Sequence, residues 1–76
     1  MALRLGKCLL RSRRRAAGLT QVELSERLYD ELGLDVSPTT ISHYETGRRT
    51  MSSPVVMRGI CIILRCNEAD LYEFLR

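Results

Sequence analysis

The residues best equipped for specific contacts lie between positions 36 and 50, in the run Val-Ser-Pro-Thr-Thr-Ile-Ser-His-Tyr-Glu-Thr-Gly-Arg-Arg-Thr. Its hydroxyls, one imidazole and two guanidiniums supply many hydrogen-bond donors and acceptors. Bond-making chemistry would need clustered carboxylates or a nucleophile beside a base. His43 is the only histidine in the chain and has no matched constellation, so the expectation is a chain that holds or reads a polar partner and is not an enzyme. Cys8, Cys61 and Cys66 are odd in number, include no Cys-x-x-Cys pair, and lie far from His43 in sequence. Neither a disulfide framework nor a metal site is expected, and no cofactor. Cys61 and Cys66 read as small core residues in preference to redox sensors.

Those contact groups need a helix to position them. Ser37 can cap it, Pro38 suits its first turn and Gly47 can end it, which predicts a helix over 38–46. Between its caps only Ile41 and Tyr44 are sizeable apolar groups, far short of the wide apolar stripe of a helix buried for stability. Upstream, Leu3, Gly6, Leu10, Arg14 and Ala17 share one face of a first helix ended by Gly18, which puts one charge in an apolar stripe. Thr20 with Glu23 three residues on is a capping-box pattern. It predicts a second helix from about Gln21 to Leu32, with Val22, Ser25, Leu28 and Leu32 on its inner side and Gly33 as terminator. Ser53-Pro54 repeats the cap-then-proline signal for a fourth helix, whose run Val-Val-Met-Arg-Gly-Ile-Cys-Ile-Ile-Leu is apolar on most sides and central to the core. Asn67 should cap a fifth, with Leu71, Phe74 and Leu75 as its apolar face. The expected architecture is all-α: five short helices in one domain over residues 1–76, without repeats or linkers.

At 76 residues the chain folds with a modest core, burying roughly 60–65% of its unfolded surface, which argues against a deep cleft. The basic N-terminal stretch lacks an apolar run long enough for a signal core or membrane span and reads as part of the fold. Net charge is +3, unevenly spread. Residues 1–19 sum to +6, residues 20–47 to −5 and residues 48–76 to +2. A local basic surface suits a polyanion, though a solvated charged face would look the same by charge alone.

The run Gly-Leu-Thr-Gln-Val-Glu-Leu-Ser-Glu-Arg-Leu at 18–28, followed by Val-Ser-Pro-Thr-Thr-Ile-Ser-His-Tyr-Glu-Thr-Gly-Arg-Arg at 36–49, resembles the lambda-repressor/Cro-like helix-turn-helix family. The likeness includes the Gly-Leu-Thr-Gln approach to helix two, the Leu24-Ser25 pair where the family usually has Leu-Ala, the Val-Ser turn, Ile41-Ser42, and Glu45 followed by Gly47 and a basic residue. The resemblance implies a compact five-helix domain in which helices two and three form the DNA-binding unit. Ile41 and Tyr44 would anchor the recognition helix, while Pro38, Thr39, Ser42 and His43 face base edges. Gln21, Ser37, Thr40, Arg48, Arg49 and Thr50 would contact phosphates, Gln21 with help from the helix dipole. Arg14 would pair with Glu45 in a structural ion pair joining helix one to helix three.

Two departures from the family stand out. Between Leu28 and Val36 the chain carries Tyr-Asp-Glu-Leu-Gly-Leu-Asp where relatives have a very short turn; it reads as one extra turn on helix two. Tyr29 and Leu32 on it read as core, with a partner-binding surface as the alternative. Pro38 lacks an amide proton, so it would pack on a thymine methyl. The expected function is a cytoplasmic, sequence-specific regulator of transcription, a repressor that binds a palindromic double-stranded DNA operator as a homodimer formed through helix five, with no separate effector domain. The alternative is an antitoxin-like or other protein-interaction module on the same fold.

Overall fold

A computed structural model of the chain describes residues 4–75. In chain order the elements are β1 (Arg4–Cys8), α1 (Leu10–Ala16), α2 (Gln21–Leu32), α3 (Pro38–Thr46), α4 (Pro54–Leu64), a 3₁₀ turn (Glu68–Asp70) and β2 (Tyr72–Leu75). β1 and β2 pair antiparallel, with Arg4 opposite Leu75, Leu5 opposite Phe74 and Cys8 opposite Tyr72, and with an irregularity between Leu5 and Cys8. Among the described residues there are thus four α-helices, not five, and a two-stranded sheet joins residues 4–8 to residues 72–75.

Both terminal differences have one cause. The expected first helix carries Gly6 in its body and has no capping side chain at Leu9, so residues 4–8 lack a local reason to be helical. Residues 72–75, Tyr-Glu-Phe-Leu, include two aromatics, which suits a strand. Each segment finds its backbone partners in the other, and the Leu9 amide donates to the Leu71 carbonyl at 2.6 Å. Only seven residues of the expected first helix remain helical; Arg13, Arg14 and Arg15 fill its last turn, where cations suit the helix dipole. Leu3, the first residue of the expected apolar stripe, lies outside the described residues. Asn67 begins a single 3₁₀ turn, its amide donating to Asp70 Oδ2 at 2.9 Å, and the expected fifth helix gives way to β2.

One core holds these elements together. Leu10, Leu24, Leu28, Ile41, Ile60, Cys61 and Leu71 are fully enclosed, with Val36, Tyr44, Met51, Ile63, Leu64 and Tyr72 around them. The Tyr72 hydroxyl accepts a hydrogen bond from the Met51 amide at 3.2 Å, which ties β2 to the α3–α4 loop. α2 buries Leu24 and Leu28, one helical turn apart; Val22, expected on the inner side, is 51% exposed. Gly59 on α4 sits where a Cβ would run into Leu34 Cδ1 and approach Leu32 and Leu28, so its missing side chain allows the end of α2 to settle on α4. Burial pushes the Cys61 thiol up to about 12, as expected of a core residue. Among the described residues no helix is long and apolar enough to cross a membrane.

Candidate nucleic-acid interface

The α2–α3 unit is built from reciprocal local bonds. At its start the Thr20 hydroxyl accepts from the Glu23 amide at 3.1 Å and Glu23 Oε1 accepts from the Thr20 amide at 2.9 Å. Those bonds hold the Glu23 carboxyl below its ordinary pKa. α2 stops at Gly33, whose φ of 66° is left-handed. The Gly33 amide donates to Tyr29 O at 2.9 Å and the Leu34 amide to Leu28 O at 3.0 Å; together these close the last turn. Ser25 Oγ then donates to the Val36 carbonyl at 2.6 Å, fastening the extended turn back onto α2. An alanine at this position could not do so.

At the head of α3, Ser37 Oγ accepts from the Thr40 amide at 3.1 Å and lies 2.9 Å from Thr40 Oγ1. The Ile41 and Tyr44 side chains anchor the helix in the core. With those two facing inward, the 100° step of a helix carries Thr39, Ser42, His43 and Thr46 to the opposite, solvent side. Thr39 and Thr46 are exposed and Ser42 and His43 half-buried, with Pro38 half-buried at the rim. Thr46 is a member of this face that sequence reasoning missed, although its spacing from Thr39, Ser42 and His43 was there to be read. Its hydroxyl donates back to the Ser42 carbonyl at 3.0 Å.

A buried polar cluster fixes α3 against the rest of the molecule. Arg14, 8% exposed, donates from Nε to Glu45 Oε2 at 2.7 Å and from a terminal nitrogen to Glu45 Oε1 at 3.1 Å. Its other terminal nitrogen donates to the Leu19 carbonyl at 2.8 Å. Gln21 Nε2 donates to Glu45 Oε1 at 3.2 Å, a contact the sequence did not suggest. The bond to Glu45 raises the Arg14 pKa above its ordinary value, so the guanidinium keeps its charge in a buried place. Arg14 of α1 and Gln21 at the start of α2 therefore converge on one carboxylate near the end of α3, and Arg14 also holds the α1–α2 turn. Among the described residues, no buried side-chain N or O lacks a hydrogen-bond partner.

Beyond Gly47, whose φ of 80° turns the chain away from α3, Arg48, Arg49 and Thr50 are exposed. The Arg49 amide donates to the His43 carbonyl at 3.2 Å, and its guanidinium carbon stands 6.0 Å from the centroid of the Tyr44 ring. Arg49 is thus tied to the helix it follows. The structure brings the residues of α3, the two arginines after it and Gln21 into one unit with Arg14 and Glu45. It leaves Tyr29 and Leu32, both expected in the core, outside it: Tyr29 is 63% and Leu32 36% exposed, because the extra turn carries α2 beyond the elements that could cover it.

Two helices joined by a fastened turn, the second polar on its outer side and clamped from below, define a helix-turn-helix unit. A family model described as a helix-turn-helix domain matches residues 8–74, and the chain belongs to that family. No curated protein and no solved structure matches it. Membership implies DNA binding.

Proposed function

We propose that the chain is a cytoplasmic, sequence-specific regulator of transcription, a repressor of the lambda-repressor/Cro-like kind without enzymatic activity, which inserts α3 into the major groove of double-stranded DNA. The observation that carries this reading is the outer face of α3: polar side chains with little core work to do, on a helix whose pose is set by the buried Arg14–Glu45 pair and by the half-buried Gln21 beside it. Thr39, Ser42 and His43 present donors and acceptors to base edges, and Pro38 offers an apolar face to a thymine methyl. Gln21 at the start of α2, Ser37 and Thr40 at the start of α3, and Arg48, Arg49 and Thr50 after it meet the phosphates. One such helix makes few base contacts, so two copies on a palindromic operator supply the selectivity, with half-site centres about one helical turn, roughly 34 Å, apart.

Selection of bound duplexes from a random pool tests this. The expected product is a two-fold symmetric consensus; enrichment of no sequence would refute the reading. On the selected duplex, Thr39→Ala and His43→Ala should each lose roughly 1–3 kcal/mol while binding to scrambled duplex is nearly unchanged. A second reading, an antitoxin-like or other protein-interaction module, is favoured by one observation, the exposed Tyr29 ring.

A further inference from the structure

α2, α3 and α4 each end on a left-handed residue. In α2 and α3 it is Gly33 and Gly47; in α4 it is Arg65, with a φ of 54°, the only residue other than glycine with a positive φ among those described. A side chain in that conformation carries a steric cost that glycine avoids. The Arg65 amide donates to Ile62 O at 3.3 Å and the Cys66 amide to Cys61 O at 3.0 Å. In a cap closed by these two bonds, the side chain just past the left-handed residue lies against the side chain whose carbonyl it bonds. Here both are cysteines. The Cys61 thiol donates a hydrogen bond to the Cys66 sulfur, which adds to burial in holding the Cys61 proton. Core packing accounts for buried Cys61 but not for Cys66, which is half-buried. Both line an open cavity of about 320 Å³, together with Arg58, Arg65, Asn67 and Asp70.

We propose that Cys61 and Cys66 are a modification site, closing to a reversible disulfide across the end of α4 when a small-molecule disulfide of the glutathione type enters this cavity. Cys66, the more accessible sulfur, attacks as a thiolate one sulfur of the oxidant, whose S–S bond breaks and whose other half leaves as a thiolate. Cys61 then gives its proton to a released thiolate and attacks Cys66 Sγ, and the bond from Cys66 to the oxidant breaks. The second half of the oxidant leaves and takes up the proton that Cys66 lost. Two protein thiols become one disulfide while the oxidant disulfide becomes two thiols, so atoms and electrons balance. Arg58 and Arg65 beside the sulfurs suit an oxidant that carries carboxylates. In a reducing cytosol the thiols stay free, and a rise in such disulfides closes the bond. The bond supplies by covalent closure what glycine supplies at the other two caps. It holds in place the turn that leads to Leu71 and to Tyr72, whose hydroxyl accepts from the Met51 amide. None of Thr39, Ser42, His43, Arg48 or Arg49 lines the cavity, and the site rests on nothing in the DNA-reading proposal.

The full chain incubated with oxidised glutathione, blocked with iodoacetamide and digested with trypsin after denaturation tests this. Trypsin cuts after Arg58 and Arg65, so the bond is read as peptide 59–65 joined to peptide 66–76. The joined pair should be the main product from wild type and from Cys8→Ser, should be absent from Cys61→Ala and Cys66→Ser, and should separate on treatment with dithiothreitol. Oxidised Cys8→Ser should melt several degrees above its reduced form, because the closed loop restricts the unfolded chain. Peptides recovered unlinked, glutathione left on Cys66 as the end product, or Cys8 joined to either cysteine as the main product overturns the proposal, as does an oxidised chain that melts no higher than the reduced one.

Discussion

α3 and α4 open on the same two residues. Ser37-Pro38 and Ser53-Pro54 each set a serine hydroxyl under the amide three positions on, at 3.1 Å for Thr40 and 3.4 Å for Val56, with proline where a missing amide proton costs nothing. The bodies of the two helices differ. α4 buries Gly59, Ile60, Cys61, Ile63 and Leu64, whereas α3 buries only Ile41 and Tyr44. The start signal specifies that a helix begins and says nothing of its task. The task is written in the number of apolar positions: α4 is held by area removed from water, while α3 is held by two anchors and a polar clamp, which leaves most of its surface for a ligand.

The largest effect that tests this contrast is at Ile60, which is fully enclosed. Ile60→Ala should destabilise the chain by about 3 kcal/mol through lost transfer energy and a residual cavity. Thr39→Ala, exposed on α3, should change stability by less than about 0.5 kcal/mol. Urea titrations of both variants are the measurement, and equal losses would erase the distinction between the helices.

The clamp comes next. Arg14→Ala leaves the Glu45 carboxylate buried with only Gln21 beside it, and Glu45→Ala leaves the buried guanidinium only the Leu19 carbonyl and no counter-charge. Breaking a buried pair from one side costs on the order of 3 kcal/mol, while removing both partners costs less than the sum. A double-mutant cycle measured by thermal melting should therefore show strong coupling; additive losses would mean that α3 is seated by Ile41 and Tyr44 alone.

The contrast also explains which features were legible in the sequence. α2 and α3 begin and end, and α4 begins, where the sequence puts them because their punctuation is local: Thr20 with Glu23, Gly33, Ser37-Pro38, Gly47 and Ser53-Pro54 all act within a turn of themselves. The chain ends were misread because the partner of residues 4–8 is a strand about 67 positions away; helical spacing in a short stretch cannot report a long-range backbone pairing. Tyr29, Leu32 and Val22 were misplaced for a related reason, since apolar character does not say how far a neighbouring element extends to cover a residue. In the site, helix and outer face were legible from Ile41 and Tyr44, and an arginine in an apolar stripe signals the need for a partner. Ser25 on the Val36 carbonyl and Gln21 on Glu45 were not, because the first depends on how the turn folds back onto α2 and the second on the pose of α2 against α3.

A smaller effect sharpens the comparison at its shared feature. Ser37→Ala and Ser53→Ala should each cost about 1 kcal/mol, similar in both helices despite their different cores. Their consequences should diverge. Ser37→Ala frays the end of α3 that would meet DNA and should lower affinity for the selected duplex, whereas Ser53→Ala, measured well below its melting point, should leave affinity unchanged. Equal affinity losses from the two variants would mean that the two helix starts are equivalent in function as well as in form.

The smallest effects per contact belong to Arg48 and Arg49, and there the contrast is between two neighbours. Both are exposed, but Arg49 is held by its amide on His43 and by the Tyr44 ring, at 3.2 Å and 6.0 Å. A guanidinium already ordered loses less freedom on meeting a phosphate. Each phosphate contact releases counterions, so removing one should reduce the slope of log K against log salt by roughly 0.9, equally on selected and scrambled duplex. Arg48→Ala and Arg49→Ala should both give that shift. At a single salt concentration Arg49→Ala should show the larger loss, because the contact it removes is the pre-ordered one. Titration at several salt concentrations separates the two quantities: a slope unchanged in both variants would place the loop after α3 off the DNA, and identical losses would deny the Tyr44 ring any part in presenting Arg49.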